Sequence, residues 1–294
     1  MHWLLDDAQQ NYPQQLKDLI DRDGPLSVPG AYNPMASIMA RNVGFEALYF
    51  SGAAFSAGLG IPDIGLFTLD QLTQAVRDVV RASGLPLIVD ADTGFGEPVN
   101  VFKTVRDLED AGAAAIQIED QVMPKRCGHL DGKTVVPAEE FVQKLRAASH
   151  ARREALIVAR TDSKAIYGMD EAIRRGRMYR AAGADIIFPE ALETPEEFRA
   201  YADAVDGPLL ANMTEFGKTP YLSADEFCAL GYKIVIFPVT AMRVAAKATE
   251  MAFQELHATG TQTGLLDKMQ TRAELYQLIE YDRYTETDAS FANE

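Results

Sequence analysis

The chain holds only two cysteines, Cys127 and Cys228, in 294 residues. Two thiols cannot build a disulfide framework, and so sparse a count fits a reducing cytoplasm. Histidine is nearly as scarce: His2, His129, His150 and His257 lie scattered without ligand spacing, which argues against a zinc site. Positive charge is short too. Lys plus Arg total 28 against 43 Asp plus Glu, a formal net charge of −15, so a broad phosphate-binding surface is disfavoured and no nucleic-acid partner is expected. An anionic substrate therefore needs a locally positive pocket. No apolar run is long enough to cross a membrane, and the opening Met1-His2-Trp3-Leu4-Leu5-Asp6-Asp7 carries no basic region. A Pro/Gly/Ser linker, a low-complexity tract and a Gly-x-Gly-x-x-Gly opening the first helix are also missing, which counts against separate domains and a dinucleotide fold. The expectation is a soluble, cytoplasmic chain with no membrane partner, folded as one domain over residues 1–294.

What is present is a rhythm. The chain is 47% apolar, and short β-branched runs recur, each followed by polar turn residues and a segment of helical periodicity. The strand candidates are Leu26–Val28, Ala47–Phe50, Leu87–Asp90, Ala115–Ile118, Leu156–Ala159, Ile186–Phe188, Leu209–Ala211 and Ile234–Phe237. Helix candidates between them include Leu69–Ala82, Val99–Ala111, Ala138–Ala151, Asp170–Ala182 and Pro195–Ala204, several closed by a glycine where a C-cap belongs. Eight βα units predict an α/β (β/α)8 TIM barrel rather than a doubly wound sheet. Residues 1–24 read as an added amphipathic helix and residues 245–294 as a C-terminal helical extension.

Barrel enzymes place their chemistry at the C-terminal ends of the strands, and here nearly every strand ends in a polar group. Strand two runs into Ser51-Gly52-Ala53, strand three into Asp90-Ala91-Asp92, strand four into Glu119-Asp120 and strand five into Arg160-Thr161-Asp162. Strands six to eight lead to Glu190, to Asn212 and Thr214, and to Arg243. Asp90 and Asp92, two apart on an extended segment, point to one side and suit a hard divalent cation, naturally magnesium; a turn with Asx hydrogen bonds is the alternative. Arg160 at the mouth of an apolar strand needs an anionic partner, either a substrate or Asp162, Glu119 or Glu190. Lys125-Arg126-Cys127-Gly128-His129 sets a thiol among cationic side chains, the arrangement that lowers a thiol pKa, although a lone cysteine is often only a small buried hydrophobe. Cys228, within Glu226-Phe227-Cys228-Ala229-Leu230, reads as helix packing.

These residues together resemble the isocitrate lyase/phosphoenolpyruvate mutase superfamily, most closely its 2-methylisocitrate lyase branch. The likeness spans nearly the whole chain and is carried by Tyr49-Phe50-Ser51-Gly52-Ala53, Asp90-Ala91-Asp92-Thr93-Gly94-Phe95-Gly96, Ile118-Glu119-Asp120-Gln121, the Lys125–His129 stretch, Ala159-Arg160-Thr161-Asp162, Phe188-Pro189-Glu190-Ala191, Asn212-Met213-Thr214-Glu215-Phe216-Gly217 and Thr271-Arg272-Ala273-Glu274-Leu275-Tyr276. The Cys-Gly-His loop discriminates, since mutases and decarboxylases of the superfamily lack that cysteine. Ala53 departs from the glycine of some members and keeps the backbone donors.

The resemblance implies a Mg2+-dependent barrel, a homotetramer exchanging the last barrel helix, and a small tricarboxylate as substrate. It assigns Asp90 and Asp92 to the metal, and Ser51, Gly52, Ala53, Gly128, His129, Arg160, Glu190, Asn212, Met213, Thr214, Arg243 and Arg272 to the substrate. It makes Cys127 the proton donor, with a lowered pKa, in a retro-aldol cleavage of 2-methylisocitrate to pyruvate and succinate. The hydroxyl proton goes to Tyr49, Glu119 or the metal-bound environment, with Tyr49 or Glu119 the favoured base, and Phe188 and Ile236 form the methyl pocket. Isocitrate lyases carry bulkier side chains there, and long insertions that this chain lacks. Isocitrate, 2,3-dimethylmalate and oxaloacetate are the alternative substrates. A non-enzymatic acid-binding or redox-sensing barrel is the reading of another class.

Overall fold

The computed structural model describes residue 5, residues 10–129 and residues 132–291; part of the N-terminal segment read as helical lies outside them. Eight parallel strands appear where the apolar runs place them: β1 (Leu26–Pro29), β2 (Leu48–Phe50), β3 (Leu87–Asp90), β4 (Ala115–Glu119), β5 (Leu156–Thr161), β6 (Ile186–Pro189), β7 (Leu210–Asn212) and β8 (Ile234–Phe237). Strands covered on both faces need apolar side chains throughout, and β3 to β6 are buried along their whole length. The pairing order is β2-β3-β4-β5-β6 in one arc and β1-β8-β7 in the other. Two single bridges, Gly30 to Tyr49 and Ile187 to Leu209, join the arcs into a closed barrel.

Helices α1 (Tyr12–Asp21), α2 (Pro34–Val43), α3 (Gly52–Gly58), α4 (Leu69–Ser83), α5 (Pro98–Asp110), α6 (Ala138–Ala151), α7 (Lys164–Tyr167), α8 (Met169–Ala181), α9 (Pro195–Ala204), α10 (Ala224–Ala229), α11 (Thr240–Thr259), α12 (Arg272–Leu278) and α13 (Tyr281–Phe291) complete the chain. The α4 helix shows why the sequence folds this way. Thr68 and Gln71 form a reciprocal capping box, Leu72, Val76, Val79 and Val80 make one buried face, and Gly84 ends the helix at a φ of 63°.

Two apolar layers result. The larger packs the outward faces of the strands against the surrounding helices. The smaller fills the barrel, and α1 closes its lower end: Leu16 is fully buried in that layer, with Tyr12, Leu19 and Ile20 packed against it. The other end is left for the strand termini and their loops. After β8 the pattern changes, because α11 buries none of its residues and Val244, Met251, Phe253 and Leu256 stand exposed. The chain returns through α12 and α13, where Glu280 meets Arg41 of α2 at 3.7 Å. Among the described residues no helix is long and apolar enough to cross a membrane.

Candidate active site

The strand ends converge on a cavity of about 80 Å³ whose wall includes Tyr49, Asp90, Cys127, Arg160, Glu190 and Arg243. Ser51, Ala53, Gly128, His129, Phe188, Asn212, Thr214 and Ile236 line it as well. Gly52, Asp92, Glu119 and Met213 stand outside this lining, and Met213 is a buried core residue. Arg272 opens α12, is exposed, and does not reach the cavity of its own chain.

At the β3 end, Asp90 is oriented by three N–H donors. Asp92 N at 3.2 Å and Gln117 Nε2 at 3.2 Å donate to Oδ1, and Gly52 N at 3.1 Å donates to Oδ2. Asp92 lies beside it with Lys125 Nζ 2.8 Å from Oδ1, while its Oδ2 is buried with no hydrogen-bond partner among the described residues. A Cβ on Gly52 would come within 3.1 Å of Asp90 Oδ2 and 3.2 Å of Asp92 Oδ1, so the bare backbone leaves the carboxylates their space. Burial pushes the Asp92 carboxyl up to about 7; Lys125 opposes that and the Asp90 charge adds to it. Two crowded buried carboxylates, one with an unmatched oxygen, fit a hard cation. Among the described residues no three His, Cys, Asp or Glu side chains converge, and magnesium needs only one or two carboxylates when substrate and water complete its shell.

Gln117 is a residue that sequence reading missed. It accepts from Tyr49 Oη at 2.9 Å and donates to Asp90, so one buried amide links the phenol to the carboxylate. Burial and the Asp90 charge push the Tyr49 phenol well above its ordinary value. Glu119 is also pushed well up by burial; its Oε2 lies 3.2 Å from Arg160 Nε.

Arg160 meets all three of the partners foreseen for it. Asp162 accepts from Nε at 2.9 Å, Glu119 lies 3.2 Å from Nε, and Glu190 lies 3.1 Å from Nη1. Its guanidinium also stacks over the Phe188 ring, 5.3 Å from the centroid. Structural pairing and a place in the cavity wall therefore coexist. Although burial opposes it, Arg160 and His129 hold the Glu190 carboxyl well below the usual carboxylate range. His129 Nδ1 accepts from Lys218 N at 3.0 Å, which leaves the ring hydrogen on Nε2 facing Glu190 Oε1 at 3.2 Å. Arg243 donates to the Glu215 carbonyl at 2.9 Å and stacks over Phe216 at 5.3 Å.

The Cys127 thiol reverses one expectation: its pKa is raised. Burial dominates, the His129 backbone N–H opposes it, and the Glu190 charge adds to the rise. The neighbouring cation does not help, because Lys125 is taken by Asp63 and Asp92. The loop leaves β4 and comes back as a hairpin, with Val122 N donating to Thr134 O and Val136 N to Asp120 O, both at 2.9 Å.

Comparison with known proteins agrees with this architecture. The phosphoenolpyruvate phosphomutase family profile matches residues 16–257. A 2-methylisocitrate lyase of Aeropyrum pernix is 55% identical over 93% of this chain and 89% of its own length. One of Bacillus subtilis is 46% identical over 99% of this chain and 98% of its own. A crystal structure of 2,3-dimethylmalate lyase, itself described as a PEP mutase/isocitrate lyase superfamily member, superposes with a TM-score of 0.90 at 36% identity, covering 96% of each chain.

Proposed function

Because the chain belongs to the phosphoenolpyruvate phosphomutase family, we propose that it is a carbon–carbon lyase cleaving 2-methylisocitrate to pyruvate and succinate, the reaction of the methylcitrate cycle in propionate catabolism. The observation that carries this is the Cys127 thiol in the same cavity wall as Asp90 and Arg160. An acid for carbon and a basic clamp for carboxylates are both needed to release succinate.

In the cleavage, the hydroxyl proton leaves to a base, its oxygen forms the pyruvate carbonyl, and the electron pair of the broken carbon–carbon bond goes to the succinyl carbon. Mg2+ held by Asp90 and Asp92 would supply Lewis-acid stabilisation of the charge developing on that oxygen. Arg160 and Arg243 offer cationic donors to the substrate carboxylates, and Glu190 with Asp162 holds Arg160 in place. Cys127 then gives its proton to the succinyl carbon and regains one from solvent. A raised thiol pKa serves this role, because the proton is present at neutral pH. Tyr49 and Glu119 remain the candidate bases. Tyr49 lines the cavity and donates to Gln117, but burial favours its protonated form, which is not itself a base, while Glu119 stands beside Arg160 outside the lining. Phe188 and Ile236 supply the apolar contact for the methyl group.

Cys127→Ser should lose turnover by roughly three orders of magnitude while product still binds; near-normal turnover removes the proton-donor role. The substrate is tested by assaying pyruvate and succinate release with Mg2+ from 2-methylisocitrate, 2,3-dimethylmalate, isocitrate and oxaloacetate side by side. Dimethylmalate is the second reading: this chain alone does not bring Arg272 to its cavity, and fewer cations suit a dicarboxylate. The exposed α11 supports a homotetramer in which neighbours exchange that helix. The whole chain is read as one domain working in the cytoplasm.

A further inference from the structure

We propose that Lys133 is a positioning residue that latches the Cys127–His129 loop against the Arg160 side of the site, an inference that rests on the reading of Cys127 as proton donor. Its side chain is only 2% exposed. An ammonium group is stable there only if paired and hydrogen-bonded. Nζ has two partners: it donates to Asp162 Oδ1 at 2.8 Å and to the carbonyl of Gly128, the residue that follows the thiol.

Asp162 is itself fixed. It accepts from Arg160 Nε at 2.9 Å and Nη2 at 3.2 Å, and its backbone N–H donates to Asp120 Oδ1 at 2.9 Å. One carboxylate thus holds both the guanidinium in the cavity wall and the ammonium that grips the loop. The loop lies so close that a Cβ on Gly128 would be 2.4 Å from Glu190 Cγ and 2.5 Å from Arg160 Nη2. Gln121 secures the near side by accepting from Arg126 N and donating to Arg126 O. His129 secures the tip, and Lys133 reaches the backbone between them.

The arrangement matters because small-molecule sites enclose roughly 300–1,000 Å³, against about 80 Å³ here. With the loop in this position the chamber is narrow, though still open to solvent at Arg243, whose side chain is 41% exposed. A substrate that enters would press on the loop, and the thiol must be held in one place against it. An ångström of misplacement costs about a hundredfold in rate. The Asp162–Lys133–Gly128 chain defines that place relative to Arg160.

The test uses the full-length protein in a Cys228→Ala background, so that Cys127 is the remaining thiol. Lys133→Met keeps an unbranched side chain, one atom shorter, and removes the donors. Alkylation of Cys127 by iodoacetamide in the substrate-free protein should accelerate several-fold, and kcat should fall about a hundredfold with KM little changed. An unchanged alkylation rate, or a faster one at undiminished kcat, would overturn the proposal. A merely structural lysine would lower the melting temperature without this kcat-against-KM split. If Lys133→Met does not fold, Lys133→Gln retains one N–H for the Gly128 carbonyl and should give an intermediate acceleration; none would overturn the latch. Normal turnover in Cys127→Ser strikes the proton-donor reading instead, which alkylation of the lysine variants does not touch.

Discussion

Cys127 shows how one residue can be found in the sequence and still be read with the wrong sign. Its neighbours Lys125 and Arg126 predict a lowered pKa, yet a cation acts through space, and Lys125 faces Asp63 and Asp92. Burial then raises the thiol above its ordinary value of 9.0. The protonated form therefore persists through neutral pH, and in Cys228→Ala protein the alkylation rate should keep climbing past pH 9; a plateau below pH 8 would contradict this assignment. Asp90, Arg160 and Glu190 were legible because strand ends mark themselves in sequence. Gln117 and Lys133 were not, since their partners lie 68, 27 and 29 residues away, at Tyr49, Asp90 and Asp162.

Elements were legible wherever a short apolar run met a polar turn. The limits of β3 and β8 and of α6 and α9 coincide with the sequence reading, and β4, β5 and β6 run one or two residues further, carrying Glu119 and Arg160 inside the strands. The N-terminal helix was expected, but not its place. Period alone says which face of α1 is apolar and nothing of what it covers. In the fold it seals the lower end of the barrel through Leu16. Leu16→Ala should destabilise by about 2–5 kcal/mol, as for other fully buried leucines. Urea unfolding measures this, and a loss under about 1 kcal/mol would mean that the barrel end tolerates an unfilled plug. Among the described residues the C-terminal region is helical over α11, α12 and α13, as its sequence predicts, but its packing partner is not encoded in any period within one chain.

At the scale of the molecule, the balance of −15 coexists with a site that collects Lys125, Lys133, Arg160 and Arg243. Acidic surroundings repel an anion until it reaches the mouth, so association with substrate should respond to ionic strength. An α11 of 20 residues with no buried side chain is a large apolar liability for a lone chain. Sedimentation at micromolar concentration should find a tetramer; a fully active monomer would rule out helix exchange as a requirement.

Among the described residues the two arcs of the barrel meet at two single bridges, Gly30 to Tyr49 and Ile187 to Leu209. One arc carries Asp90, Cys127 on the loop after β4, Arg160 and Glu190, and the other leads into Asn212 and Arg243. The chamber wall thus spans both seams, each of which is tied by a backbone hydrogen bond, Ala31 N to Tyr49 O at 2.9 Å and Ile187 N to Pro208 O at 3.2 Å. A substrate gripped by Arg160 on one side and Arg243 on the other would act as a rivet across both seams, adding a tie where the strand ladder is thinnest.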